Sequence, residues 1–170
     1  MDASSLGAWA RKELTACGVH VIPTCSEDVK EIGANLREND QEAVRTFKTK
    51  PLTAALACYS HSVECWTLVS NDSGRRLGII SVGGAINYRG VDYPQAWVFG
   101  TPELDEYMLR SPRKTLAVSR KIADYLTGRF GVLMGVVPKC LLKNRIPLLK
   151  HVGASFEAFG KYALFAIGGE

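Results

Sequence analysis

The stretch Ala96-Trp97-Val98-Phe99-Gly100-Thr101-Pro102-Glu103-Leu104, followed by Ser111-Pro112, decides how this chain is read. Gln95 to Phe99 is rich in bulky and β-forming residues and predicts a strand. Ser111 and Pro112 place an N-cap and a first-turn proline ahead of a helix running to about Thr127, with Gly128 as its stop signal. Leu116, Ser119, Ile122, Ala123 and Leu126 would line the inner face of that helix. Val132 to Val137 carries no charge, as expected of a strand covered on both faces. A short basic helix over Asn144–Val152 comes next, interrupted early by Pro147 and ended by Gly153. Ser155–Ala158 and Tyr162–Ile167 then pair around Gly160. Strand, helix, strand, helix and a closing β pair describe a mixed α/β plan.

The same plan continues towards the N-terminus. Val63–Ser70 and Arg76–Val82 flank Asn71-Asp72-Ser73-Gly74 and form the clearest hairpin in the chain, which Gly83-Gly84 would end or bulge. Before it, Pro51 fits the first turn of a helix to about Ser60, and Asn39-Asp40 starts another through about Phe47. Ser26 is read as the N-cap of a helix to Ala34, with Glu27 and Asp28 at the positive end of its dipole. Val19–Ile22 is a first strand ended by Pro23. Residues 1–17 read as a short N-terminal helix or arm, and 18–170 as a single domain.

Composition narrows the function classes. Of 170 residues, 46% are hydrophobic and 22% charged, close to the average globular protein, so extended disorder is not expected. No apolar run approaches a membrane span and no signal peptide is evident, so a soluble, intracellular and non-secreted protein is expected. The five cysteines show no C-x-x-C spacing. Cys58, His61 and Cys65 are irregularly spaced and lack a fourth ligand, so no metal is assigned, and Cys58 and Cys65 suit small buried hydrophobes better. His20, His61 and His151 have no nucleophile setting, and no G-x-S-x-G elbow occurs. Trp66 and Trp97 are read as core or interface anchors.

The net charge is only +4, but ten basic residues lie between Arg110 and Lys150 (Arg110, Arg113, Lys114, Arg120, Lys121, Arg129, Lys139, Lys143, Arg145, Lys150). Asp124 is the one acid within that stretch. Such a block suits phosphates, of a nucleotide or of DNA, or else two solvated helix faces.

The element order, the Gly100-Thr101-Pro102-Glu103-Leu104 piece and the Leu149-Lys150-x-x-Gly153-Ala154-x-Phe156 piece together resemble the GNAT (GCN5-related N-acetyltransferase) superfamily. The resemblance is to its phage-encoded branch, which includes an internal virion protein of short-tailed phages and acyltransferase-like relatives. It covers about residues 18–167 in element order and about 96–157 in motif detail. It implies a central mixed sheet flanked by helices, and acetyl-CoA as cofactor if the chain is an enzyme. It also implies three catalytic devices, and this sequence departs from two. The phosphate cradle, Arg/Gln-x-x-Gly-x-Gly/Ala at the start of the long helix, maps onto Arg110 to Thr115, where Arg113 replaces glycine, Thr115 replaces a tiny residue and Pro112 lacks an N–H. The proton-donating tyrosine four residues before the helix-ending glycine maps onto Leu149. The general base maps to the acidic stretch after the fourth strand, with Glu103 as candidate; a solvated acidic loop of Glu103, Asp105 and Glu106 is the alternative. Arg110, Arg113, Lys114 and Asn144 are the candidate cofactor-binding residues. The expectation is a virion structural or ejection-associated protein with a degenerate site, located in the particle or the host cytoplasm. Its partners would be virion proteins or further copies of itself, with DNA contact through 110–150 less favoured. An active N-acyltransferase acting on a host or phage amine is the alternative.

Overall fold

The computed structural model describes Trp9 and residues 13–168. Residues 1–8 and 10–12, on which much of the expected N-terminal helix falls, lie outside the described residues. Glu13 and Leu14 close a helical segment, and a 3₁₀ turn over Thr15–Cys17 leads into β1 (Val19–Pro23). Three helices follow: α1 (Ser26–Ala34), α2 (Glu38–Thr46) and α3 (Pro51–Ser60). Then come β2 (Ser62–Ser70), β3 (Arg76–Tyr88), β4 (Val91–Gly100), α4 (Pro102–Arg110), α5 (Pro112–Phe130), β5 (Leu133–Pro138), α6 (Leu142–His151), β6 (Ser155–Phe159) and β7 (Tyr162–Ile167).

The seven strands form one mixed sheet in the order β1-β2-β3-β4-β5-β7-β6. Neighbours are antiparallel except β4 and β5, which run parallel because the α4–α5 crossover returns the chain to the same end of the sheet. Val29, Ile32, Val44 and Ala55 of α1–α3, with Leu36 between α1 and α2, cover one face, against Ile79 and Phe99. The other face is covered by α4 and α5, through Tyr107, Val118, Ile122 and Leu126, against Val21, Trp66, Leu68, Val82 and Leu133. Leu14 is fully buried on that face, and Trp9 stacks on Tyr125 with ring centroids 4.6 Å apart.

Several expectations need correction. The N-cap of α1 is Cys25, one residue early: its Sγ takes the place of the expected Ser26 hydroxyl, while Asp28 reaches back to the Cys25 N–H in a capping box. At Gly83-Gly84 the bulge, the second of the two expected outcomes, is what occurs, and β3 does not end there. A register shift absorbs the pair between Val82 and Ala85, and the ribbon runs on to Tyr88 before returning from Val91. α5 passes through Gly128 and stops at Gly131, where φ is +73°. Its buried stripe is Thr115, Val118, Ala123 and Leu126, while Leu116 is exposed. The acidic stretch after β4 is a helix, α4, and not a loop. Leu133 and Val137 are almost fully buried as expected, but Val136 is only half-buried, since β5 has no β4 neighbour beside it at that point.

Candidate functional site

The parallel pair β4 and β5 touches at one register point, Gln95 opposite Met134. Beyond it the strands splay, and the C-terminal half of β4 is bordered on one side only, by β3. Gly100 turns its N–H and C=O into this splay: the N–H donates to Asp40 Oδ2 at 2.7 Å, and the C=O accepts from the Arg37 N–H at 2.9 Å. Strand pleating repeats every second residue, so Val98, 47% exposed, directs its backbone groups the same way.

Asp40 organises the closed end of the cleft. It is 1% exposed, sits in the first turn of α2, and accepts from Gly100, from Arg37 Nε at 2.8 Å and from the Arg145 guanidinium of α6. Arg37 also donates to Asp105 Oδ1 of α4 at 3.0 Å. Burial works against the charge of Arg37, but Asp40 and then Asp105 outweigh it and raise the guanidinium pKa. A Cβ at Gly100 would stand 2.6 Å from Leu104 Cδ2 and 3.0 Å from Arg37 Nε, so a larger residue would displace both side chains. An Arg–Asp–Arg cluster thus ties α2, α4, α6 and the end of β4 together across the splay.

The expected site residues are spread around this cluster. Arg110 is exposed and ion-paired to Glu106 at 3.2 Å. Arg113 and Lys114 are exposed at the start of α5 and Asn144 is exposed on α6; none of the three has an ion pair or side-chain hydrogen bond among the described residues. With Pro112 lacking an N–H and Thr115 N bonded to Ser111 O at 2.9 Å, α5 offers two free first-turn amides, those of Arg113 and Lys114. Gly153 does end the last helix region, at φ +83°, so the count back to Leu149 holds, and Leu149 is half-buried. Tyr162 lies opposite Pro138 on β7, but its hydroxyl donates to Thr46 O and its ring stacks on Phe47 at 5.1 Å. Glu103 faces away from the splay, with Oε1 accepting from Arg75 at 3.3 Å.

The cluster of Arg37, Asp40 and Arg145 was not anticipated. Arg37 and Asp40 stand at i,i+3 across a helix start, which is a legible local signal, but Arg145 arrives from more than a hundred positions away.

The basic block is also less bare than its sequence implies. Glu106, Asp124, Glu13, Glu64 and Asp40 pair with Arg110, Arg120, Lys121, Arg129 and Arg145 respectively. Glu106 and Asp124 are i,i+4 helix neighbours of their partners, while Glu13, Glu64 and Asp40 are distant in sequence and only folding brings them in.

No protein-family model and no curated protein sequence matches the chain. Solved structures do match in fold. The GNAT domain of S. lividans PAT superposes with a TM-score of 0.61 at 12% identity, covering 88% of this chain and 89% of that one. A GNAT-family acetyltransferase from Bacillus anthracis gives 0.59 at 8% identity, with 88% and 93% covered. The ribosomal-protein-S5-alanine acetyltransferase from Vibrio fischeri gives 0.54 at 13% identity, with 90% and 94% covered. The chain therefore has the GNAT fold, a mixed sheet flanked by helices and opened between two parallel strands.

Proposed function

We propose that this chain uses the GNAT fold as a scaffold for protein contacts and does not transfer acyl groups. One observation carries this reading: both backbone groups that Gly100 turns into the splay are already taken, by Asp40 and Arg37. Coenzyme A would have to lay its amide-bearing arm along this edge of β4, as an extended ligand adds to a strand. Asp40 is buried and held by two guanidiniums, so releasing it would strand charges away from water. The residues around the splay fit the cofactor poorly in other respects too. Arg113 occupies the glycine position of a phosphate cradle, only two first-turn amides are free, and Leu149 has no proton to give a departing thiolate.

Calorimetric titration of the native chain with acetyl-CoA tests the reading. The expected result is no binding tighter than about 10 micromolar, some 7 kcal/mol; tighter binding overturns it. The resemblance to phage-encoded relatives supports a finer form, a particle component that contacts virion proteins or further copies of itself. Mass spectrometry of purified particles should then find the chain at fixed stoichiometry.

A second reading, an acetyl-CoA-dependent N-acyltransferase acting on an amine, is favoured by the splay itself and by the outward-turned, exposed Val98. Under that reading, acetyl-CoA is consumed when a suitable amine is supplied; under the scaffold reading it is not.

A further inference from the structure

Of the helices α1 to α6, α3 alone carries no charged residue. No Asp, Glu, Lys or Arg occurs from Pro51 to Val63. The inner stripe of α3, Ala54, Ala55, Cys58 and Tyr59, packs into the core that holds Ile79 and Phe99. Its outer stripe, Leu52, Thr53, Leu56, Ala57 and Ser60, is exposed, and Val63 just beyond the helix is 74% exposed. A surface helix normally sets charged or polar residues against water, and one that lacks charge all round is normally covered all round. In the single chain, α3 is covered on one side only.

Charge selects what covers the other side. Where a surface meets its own copy across a twofold axis, residues near the axis face their twins, and a charge there repels itself. The outer stripe of α3 has no charge to repel, and its centre, Leu56 and Ala57, is apolar. Lys48 and Lys50 stand just before the helix, exposed and without an ion pair among the described residues. They lie at the positive end of the α3 dipole, where a cation is unfavourable. When two copies of α3 cross antiparallel, the lysines of each reach the negative end of the other helix, and Ser60 to Val63 brings no Lys or Arg to that end. A parallel crossing would set Lys48 and Lys50 against their own twins.

We propose that the outer stripe of α3 docks on a second copy of this chain, the two helices crossing antiparallel about a twofold axis near Leu56 and Ala57. Thr53, Ala57 and Ser60 are small and let the helices approach to about 8 Å. The helix has 10 residues and is therefore about 15 Å long. One such contact falls well short of the ~800 Å² that each partner buries in a standard interface, so the dimer is weak. The dimer gives the scaffold reading its partner, and its role rests on that reading. Its existence does not depend on acetyl-CoA, so a monomeric chain overturns this proposal and leaves the acetyl-CoA titration to judge the other.

Sedimentation equilibrium of the native chain, run up to about 1 mM, tests the contact. The expected result is a monomer–dimer equilibrium with a Kd on the order of 100 micromolar, in keeping with the small interface. Ala57 is exposed, so charges placed there leave the fold intact. Ala57→Glu and Ala57→Lys should each weaken the dimer at least about tenfold, because each charge meets its twin. An equimolar mixture of the two variants should recover a dimer at native affinity or better, since unlike charges then face one another. A native chain that stays monomeric at about 1 mM overturns the proposal and leaves the stripe to some other partner. Native dimerisation by both single variants places the contact elsewhere and overturns it too. So does a mixture that stays monomeric, because residue 57 then does not face its own copy.

Discussion

Individual side chains in this chain are set by burial first and by charge partners second. Cys58 shows the first effect: desolvation, and then the neighbouring Cys65, push its thiol up to about 12. The thiolate is the nucleophile, so Cys58 should resist alkylation at pH 8, whereas Cys25 and Cys140 are exposed. Peptide mapping after iodoacetamide treatment of the native chain should recover label on Cys25 and Cys140 well before Cys58; early labelling of Cys58 contradicts the packing between α3 and β2. Asp28 shows the second effect. Burial raises its pKa, but the Cys25 N–H and the Arg76 guanidinium overcome that and hold the carboxyl below its ordinary value. A depressed folded-state pKa contributes stability above the unfolded-state pKa, and that contribution fades as pH falls through the folded value. Asp28→Asn should therefore cost about 2 kcal/mol at pH 7, and the gap from the native chain should narrow in strong acid. Urea melts of both proteins at pH 7 and pH 3 measure it, and a gap that widens in acid refutes the sign. The first effect is legible in sequence, where Cys58 reads as a small buried hydrophobe; the second is not. Asp28 reads as a dipole-favouring first-turn acid, and nothing local announces that Arg76 lies above it.

Elements were far more legible than their ends. Hydrophobic pattern and turn chemistry located β1, the β2–β3 hairpin, α3, α5, β5 and the β6–β7 pair, because each has a local signature: a β-branched run, Asn-Asp-Ser-Gly, or proline in a first turn. The misses have a common cause. Gly128 reads as a stop, but glycine only permits a break, and packing carries α5 through it to Phe130. α4 was missed because its acids were judged as a solvated group, whereas Leu104 and Tyr107 fasten it to the sheet, with Tyr107 donating to Cys17 O at 2.9 Å. The splay separates two adjacent valines of β5 and makes a graded test of this arrangement. Val137 is 3% exposed between two layers, while Val136 stands half-buried where β4 has diverged. Val137→Asp buries an unpaired carboxylate and should cost at least about 3 kcal/mol, enough to leave much of the protein insoluble. Val136→Asp can turn its charge towards the open cleft and should remain soluble with a cooperative melt. Equal damage from both substitutions would mean that β4 and β5 stay paired past Gln95 and Met134.

At the scale of the whole molecule, the question is what the basic second half meets. Ten cations in sequence suggest a polyanion, but folding supplies five carboxylate partners, leaving Arg113, Lys114, Lys139, Lys143 and Lys150 without an ion pair among the described residues. Phosphate contacts by all five would give a log–log salt slope on duplex DNA of about −4.5. Those five are divided between the start of α5, the 3₁₀ turn after β5, and both ends of α6. Phe130, an aromatic in this part of the chain, lies under Arg129, a cation already paired with Glu64. The scaffold reading proposed above places a protein contact here instead, on exposed apolar residues: Leu109, 82% exposed, lies just before Arg113 and Lys114 in sequence, and Leu116 just after them. Apolar anchors ringed by charge are the composition of a protein interface. If that proposed reading holds, reversing two charges, Arg113→Glu with Lys114→Glu, abolishes incorporation into particles, while stability moves by about 0.5 kcal/mol or less. A gel-shift series at low and moderate salt should show negligible DNA binding by the native chain as well as the variant. Tight binding of native protein that falls steeply with salt, and is lost on the double reversal, would assign this surface to DNA and overturn the protein-contact reading of the basic face.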